Sequence, residues 1–226
     1  MQDNINIDAC SLSDALDRLR ALRVPVPEGA VDRLRLHAEL VRKWNRVCGL
    51  VSAGDETRIC SRHTCDSLGL LPIFYACGSG LSQWVDIGSG GGFPALPVAI
   101  VLEGVRFRLY ERSRRKSAFL ERAIIELGLS GRVAVVPFSF PDGFDAERAC
   151  VFTGRAVERP AEIQDVLSRL MAPGSIFLVQ GSVSATFRPP IFHVEHYSEE
   201  WPWRRGSLTL VRRLDGRDVP RGTLCG

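Results

Sequence analysis

The sequence predicts an α/β protein: a seven-stranded, mainly parallel sheet ending in an antiparallel hairpin, preceded by a helical N-terminal extension. Three observations point there. From Trp84 onward strand-like and helix-like segments alternate, the pattern of parallel strands joined by crossover helices. Residues 84–94, Trp-Val-Asp-Ile-Gly-Ser-Gly-Gly-Gly-Phe-Pro, read as a strand running into a glycine turn that opens a helix. Residues 1–77 carry apolar side chains at helical spacing. The expected division is 1–78 for the extension, packed on the core, and 79–226 for the sheet domain.

In the extension, Ser11-Leu12-Ser13-Asp14 has the form of a capping box ahead of Leu16, Leu19 and Leu22, and Pro25 and Pro27 close that helix. A second helix is expected from Pro27-Glu28 through Trp44, with Val31, Leu34, Ala38 and Val41 on one face. Residues 49–54, with a glycine at each end, break it. A third is expected from Asp55 through Ile59, His63, Asp66 and Leu70 to Phe74.

Strands follow at 84–89, 106–111, 132–138, 149–154, 175–181, 192–198 and 206–213, the last two as the antiparallel pair. Helices at 93–103, 113–128 and 158–172 connect the parallel strands. Pro94 and Pro97 are tolerable only in the first turn of theirs. Ser113 is the expected N-cap and Gly128 the C-cap of the next, whose stripe is Phe119, Leu120, Ala123, Ile124 and Leu127. The third presents Ile163, Val166, Leu167, Leu170 and Met171, and Pro173-Gly174 ends it.

A hydrophobic share of 45% with 24% charged residues suits a soluble globular chain. No apolar run approaches the ~20 residues that span a bilayer, and Met1-Gln2-Asp3-Asn4 lacks the basic-then-apolar pattern of a signal peptide, so a cytoplasmic location is expected. Seven cysteines, an odd count without a CxxC pair, read as reduced thiols. Cys60, His63 and Cys65 do not share one helix face and lack an obvious fourth ligand, so no metal is expected. Net charge is only +3, but basic residues cluster at Arg42-Lys43, Arg112 to Lys116, Arg204-Arg205 and Arg212-Arg213, which suits a polyanionic partner.

The glycine turn can be discriminated by what it lacks. A dinucleotide fingerprint requires a sixth-position glycine, where this chain has Phe93, and a phosphate-binding P-loop requires a lysine that is absent. What remains is Asp-x-Gly-x-Gly-x-Gly over Asp86, Gly88, Gly90 and Gly92, which resembles the cofactor loop of class I S-adenosylmethionine-dependent methyltransferases, a Rossmann-like fold. Glu111 ends the second strand, where a carboxylate can accept both ribose hydroxyl protons; the alternative is a solvated strand end.

The segment after the fourth strand narrows the methyl acceptor. Phe152-Thr153-Gly154-Arg155-Ala156 offers neither the Asn/Asp-Pro-Pro-Tyr/Phe of amino-N methylation nor the Pro-Cys of cytosine-C5 methylation. A ring nitrogen such as guanine N7 carries a lone pair and no proton, so alignment with the sulfonium methyl suffices.

The chain is similar to the bacterial small-subunit ribosomal RNA methyltransferase G family, also called glucose-inhibited division protein B. The resemblance rests on Lys43-Trp44-Asn45, Arg62-His63 with Asp66-Ser67-Leu68, the loop Asp86 to Pro94, Arg115-Lys116 with Phe119-Leu120, Leu127-Gly128-Leu129 and Arg155-Ala156-Val157. It implies methylation of guanine N7 in 16S rRNA, free or in a 30S subunit precursor, by a monomer using S-adenosylmethionine. By position it implies Gly88 and Phe93 against the cofactor, Phe140 and Pro141 near the adenine, and Arg155 close to the methionine end or the target base.

The chain departs from the family's pattern in three places. Gly49-Leu50-Val51 stands for Asn-Leu-Thr, Ser139-Phe140-Pro141 for Arg-Ala-Glu, and Gln180 for a lysine. The second change leaves Phe138 or Phe140 to pack on the adenine. Arg114, Arg115 and Lys116 sit where cations oppose a helix dipole by ~0.3–1 kcal/mol each, so phosphate contact or solvated exposure must compensate. Arg62 and His63 are expected on the RNA face, His63 being otherwise a satisfied helix histidine. Two other functions stay open: methylation of another RNA or a small molecule, and a catalytically weakened RNA-binding relative.

Overall fold

The computed structural model describes residues 3–145, 148–155, 160–180, 187–197 and 208–215. Ala156-Val157, Glu158, Gly181, Ser198, Arg204-Arg205, Gly206 and the side chain of Gln180 lie outside them.

Seven strands form one sheet: β1 (Gln83–Ile87), β2 (Arg106–Tyr110), β3 (Val133–Val136), β4 (Val151–Gly154), β5 (Ile176–Gln180), β6 (Phe192–Tyr197) and β7 (Leu208–Arg213). Their order is β3-β2-β1-β4-β5-β7-β6, with β1 to β5 parallel and β7 antiparallel to both neighbours. The predicted architecture is therefore present, hairpin included. The chain leaves β1 towards β3 and returns to β4 on the other side of β1, so the order reverses between β1 and β4. Ligand crevices of open α/β sheets form beyond the carboxyl ends of strands at such a reversal.

Helices α1 (Asp3–Ala21), α2 (Ala30–Cys48), α3 (Cys65–Leu68) and α4 (Leu71–Cys77) precede the sheet; α5 (Ala95–Val101), α6 (Arg114–Glu126) and α7 (Pro160–Leu170) connect its strands. All seven residues of α5 are buried, as an all-round apolar helix requires. It packs against α2, and Leu12, Leu16, Leu34, Val41 and Phe74 of the N-terminal helices share one core with Trp84, Leu96, Phe107 and Phe119. A second core, on the other face of the sheet, gathers Val85, Ile87, Tyr110, Phe140, Phe152 and Leu167.

Three local expectations are corrected. The first helix begins at Asp3, so Ser11 to Asp14 lie inside it; Leu12, Ala15, Leu16 and Leu19 are fully buried and draw the segment into one continuous helix. The single helix expected over 55–74 is instead a 3₁₀ turn (Ala53–Arg58), a π-helical turn (Ile59–Thr64), α3 and, after a break, α4. Apolar spacing alone does not distinguish these windings. In the π turn the Cys65 N–H reaches back to Cys60 O, and such turns recur where a helix must aim side chains at a site. Ser113 does precede α6, but its side chain makes no cap; its own N–H is held instead by Glu111 Oε1.

Candidate functional site

The turn after β1 is built from residues that only glycine can supply: Gly88, Gly90 and Gly92 have φ of 70°, 52° and 82°. The Gly88 and Ser89 N–H groups donate to Tyr110 O at 2.9 and 3.1 Å, and Gly92 N–H donates to Ser89 O at 2.7 Å. The Glu111 carboxylate locks the far side: Oε2 accepts the Gly90 N–H at 2.9 Å and Oε1 the Ser113 N–H at 2.8 Å. One acidic side chain thus ties the turn to the start of α6. A lone pair on each oxygen remains for a further donor.

Asp86, the penultimate residue of β1, lies opposite Thr153 of β4, at the reversal of strand order. It is fully buried. Thr153 Oγ1 donates to Asp86 Oδ1 at 2.7 Å while accepting from Trp84 Nε1 at 2.8 Å. Asp86 Oδ2 has no hydrogen-bond partner among the described residues. Burial pushes this carboxyl up to about 6, against the nearby Ser89 hydroxyl, which donates to the Asp86 main-chain O at 3.3 Å, the Thr153 hydrogen bond and the field of Arg155. Near neutral pH the site therefore holds a buried anion with one oxygen free.

Phe93 is the hub of the opposite wall. Its ring lies 4.7 Å from His37, 5.3 Å from His63 and 5.1 Å from the Arg155 guanidinium. Arg155 follows β4; burial lowers its pKa, while Asp66, Asp86 and Asp55 favour its charge. His63, on the π turn, is mostly buried and 3.5 Å from Asp55 Oδ2, without a hydrogen bond to either ring nitrogen among the described residues. Burial and the Arg155 and Arg62 charges hold it down to about 4. Asp55 accepts Ser52 Oγ–H at 2.8 Å and Arg62 at 2.9 Å, and those partners hold its carboxyl below the usual range.

The predicted residues Asp86, Gly88, Gly90, Gly92, Phe93, Glu111, His63 and Arg155 thus gather near the carboxyl ends of β1, β2 and β4, linked by the Glu111–Gly90 hydrogen bond, the Phe93 ring contacts and the Arg155–Asp86 attraction, and Arg62 joins them through Asp55. Phe140 does not enter as an exposed ring. It is buried against Tyr110, Phe144 and Phe152, with Pro141 beside it. Phe138, 59% exposed, is the free aromatic after β3. Arg114 and Arg115 are exposed at the start of α6, Lys116 half-buried; Arg115 donates to Val47 O at the end of α2. Arg42, Lys43 and Arg46 line a shallow groove of about 510 Å³ there, with Glu39 and Glu56.

Sequence reasoning assigned no role to four supports. Thr153 fixes Asp86. Asn45 accepts the Leu50 and Val51 N–H groups at 2.7 and 2.9 Å and donates to Glu56 Oε1 at 2.6 Å, which seats Leu50 against Gly91. Asp55 gathers Ser52 and Arg62. His37, inside an apolar helix face, donates Nε2–H to Gly91 O at 2.9 Å. The available signals were a threonine in an apolar strand and a histidine in an apolar stripe.

The buried groups set an acid dependence. His37 and His63, both held down to about 4 chiefly by burial, refuse protons that the unfolded chain takes up below about 6.5, so their stabilisation is lost as pH falls from 6.5 through 4. Asp86, raised to about 6 from 3.8, acts in reverse: its stabilisation is present below 3.8 and lost as pH rises through 6. Two histidines outweigh one carboxyl. Stability should fall on the order of 2 kcal/mol from pH 7 to 4.5, read as a lower Tm; an unchanged Tm would contradict this assignment of charges.

The family model for rRNA small subunit methyltransferase G matches residues 30–186. A ribosomal RNA small subunit methyltransferase G from Neisseria meningitidis serogroup B is 37% identical over 214 residues, covering 90% of this chain and 91% of that protein. One from Paracoccus denitrificans is 34% identical over 151 residues, 66% of this chain and 76% of that protein. Among solved structures, a Klebsiella pneumoniae chain matches with TM-score 0.56 at 13% identity, over 90% of this chain and 97% of that one. An O-methyltransferase from Streptomyces achromogenes, solved in complex with SAM, matches with TM-score 0.54 at 15% identity, over 84% and 92%. The two structures share the fold, and the sequence matches carry the assignment: this chain belongs to the rRNA small subunit methyltransferase G family.

Proposed function

We propose that the protein transfers a methyl group from S-adenosylmethionine to N7 of a guanine in 16S rRNA, free or within a 30S precursor, acting as a cytoplasmic monomer. The observation that carries the reading is Asp86: a buried carboxylate, one oxygen unpartnered, at the strand-order reversal beside a glycine turn. Burial opposes the charge of such a group, so a cation or donor brought to its open oxygen is bound favourably. S-adenosylmethionine supplies, when bound, an ammonium group and a methyl on an electrophilic sulfonium.

The residues present fit that cofactor. Asp86 would accept its ammonium end, Glu111 the ribose hydroxyls through its remaining lone pairs, and Phe138 would flank the adenine, with Phe140 and Pro141 backing it. Gly88 and Gly90 give the backbone close approach: a Cβ on Gly90 meets only Gly88 O, at 3.8 Å. Phe93 closes the side towards Arg155.

Guanine N7 offers a lone pair, so no residue need remove a proton before attack. The chain accordingly provides orientation. Arg155, held on Phe93 among three carboxylates, would position the base. His63, neutral because its pKa is held at about 4, adds no competing positive charge as N7 becomes cationic. Arg62, Arg114, Arg115 and Lys116 would contact RNA phosphates, which position without reading sequence.

The test is incubation with methyl-labelled S-adenosylmethionine and purified 16S rRNA or 30S particles. Label should enter RNA, and RNA binding should weaken steeply with salt, as counterion release requires. Label confined to a small molecule, with binding insensitive to salt, would replace the RNA reading.

A further inference from the structure

The site has a buried histidine that the proposed chemistry leaves unused. His37 is fully buried in α2, between Leu34, Ala38 and Val41, on a face whose other buried polar residue is Asn45. Its Nδ1 has no hydrogen-bond partner among the described residues. An orphaned buried polar atom costs ~1–3 kcal/mol, and a leucine would fill such a space without that cost. What the imidazole gains in return is one hydrogen bond, from Nε2–H to Gly91 O at 2.9 Å, together with the packing of its ring 4.7 Å from Phe93. A carbonyl acceptor requires the proton on Nε2. Burial, which keeps the ring neutral down to about pH 4, preserves that tautomer.

The acceptor lies at a sensitive point. Gly91 stands between two residues of positive φ, Gly90 at 52° and Gly92 at 82°. Three consecutive glycines have little intrinsic preference for one peptide orientation. The plane joining Gly91 to Gly92 is nonetheless held at both edges: its carbonyl by His37, its N–H by Ser89 O at 2.7 Å. The Gly90 N–H is held in turn by Glu111. The backbone that would face the cofactor is thus ordered before any ligand arrives, which reduces the entropy lost on binding.

We propose that His37 is a positioning residue for cofactor binding, its Nε2–H fixing the Gly91 carbonyl and thereby pre-setting the glycine turn. This rests on the turn being the S-adenosylmethionine site. The experiment compares wild type with His37→Leu, which keeps volume without a donor, and His37→Gln, whose side-chain amide restores one. Hydrogen exchange of the cofactor-free protein over residues 86–96 and calorimetric titration with S-adenosylmethionine are read on each. The Leu variant should exchange faster in the turn and bind about 3- to 10-fold more weakly, with KM for RNA unchanged; the Gln variant should recover most of both. Should His37→Leu not fold, His37→Phe takes its place. Wild-type exchange and affinity in the donor-free variant, or a Gln variant as impaired as Leu, would overturn the proposal. Failure of wild type to bind S-adenosylmethionine would instead overturn the reading of the site, and this proposal with it.

Discussion

Replacing Asp86 with asparagine should weaken S-adenosylmethionine binding about 10- to 150-fold, the ~1.5–3 kcal/mol of a hydrogen bond to a charged group, without weakening the fold. Asparagine matches the carboxylate in shape, and its Oδ1 still accepts from Thr153 Oγ1, which holds Asp86 at 2.7 Å. The lost charge is the one whose ionisation burial opposes, raising its pKa to about 6. Above that pH the native state carries a penalty that the unfolded chain does not, and the asparagine variant is relieved of it. The cofactor-free variant should therefore melt no lower than wild type at pH 7 while binding far less cofactor. By the same linkage, wild-type affinity should rise with pH through about 6 as Asp86 ionises, and the variant's should not. Calorimetry at pH 5.5 and 7.5 with thermal melting checks both. A variant that melts much lower, or an affinity flat with pH in wild type, would remove Asp86 from the binding role.

Gly92→Ala and Gly90→Ala should separate folding from binding. At Gly92, with φ of 82°, an added Cβ falls 2.5 Å from Leu96 Cδ1 and 3.2 Å from His37 Nε2. Left-handed strain of ~1–2 kcal/mol then adds to ~1–3 kcal/mol of overpacking, so a Tm loss of roughly 5–15 °C is expected. At Gly90, with φ of 52°, the Cβ makes only an ordinary contact with Gly88 O at 3.8 Å. That variant should lose only the ~1–2 kcal/mol of strain yet bind cofactor at least about tenfold more weakly, because the methyl occupies ligand volume. Equal effects of the two substitutions on Tm and on affinity would contradict the position assigned to the ligand.

The parts of this site legible in the sequence are those whose constraint is local. Gly88, Gly90 and Gly92 are visible because positive φ selects glycine, and Glu111 because it closes the next strand. The supports are invisible for the opposite reason. Thr153 reaches Asp86 across 67 residues of chain, and His37 reaches Gly91 across 54. In α2, His37 reads as one polar interruption of an apolar stripe until the fold brings Gly91 beneath it. The turn carrying Arg62 and His63 reads as regular helix in the sequence because its apolar residues keep a near-helical period, while its hydrogen bonds widen to Cys65 N–H and Cys60 O. Phe140 shows the limit of assignment by position: its neighbours Tyr110 and Phe152 draw it into the core, leaving Phe138 exposed.

The methylated atom itself can be located chemically. 16S rRNA methylated in vitro by the purified protein is reduced and cleaved with aniline, a chemistry that breaks the chain at N7-methylguanosine, and the cut is located by primer extension. A cofactor-dependent break at a single guanine is expected, much weaker with Asp86→Asn at cofactor concentrations that half-saturate the wild type. Methyl label incorporated without any such break would place the methyl on another atom and contradict the account.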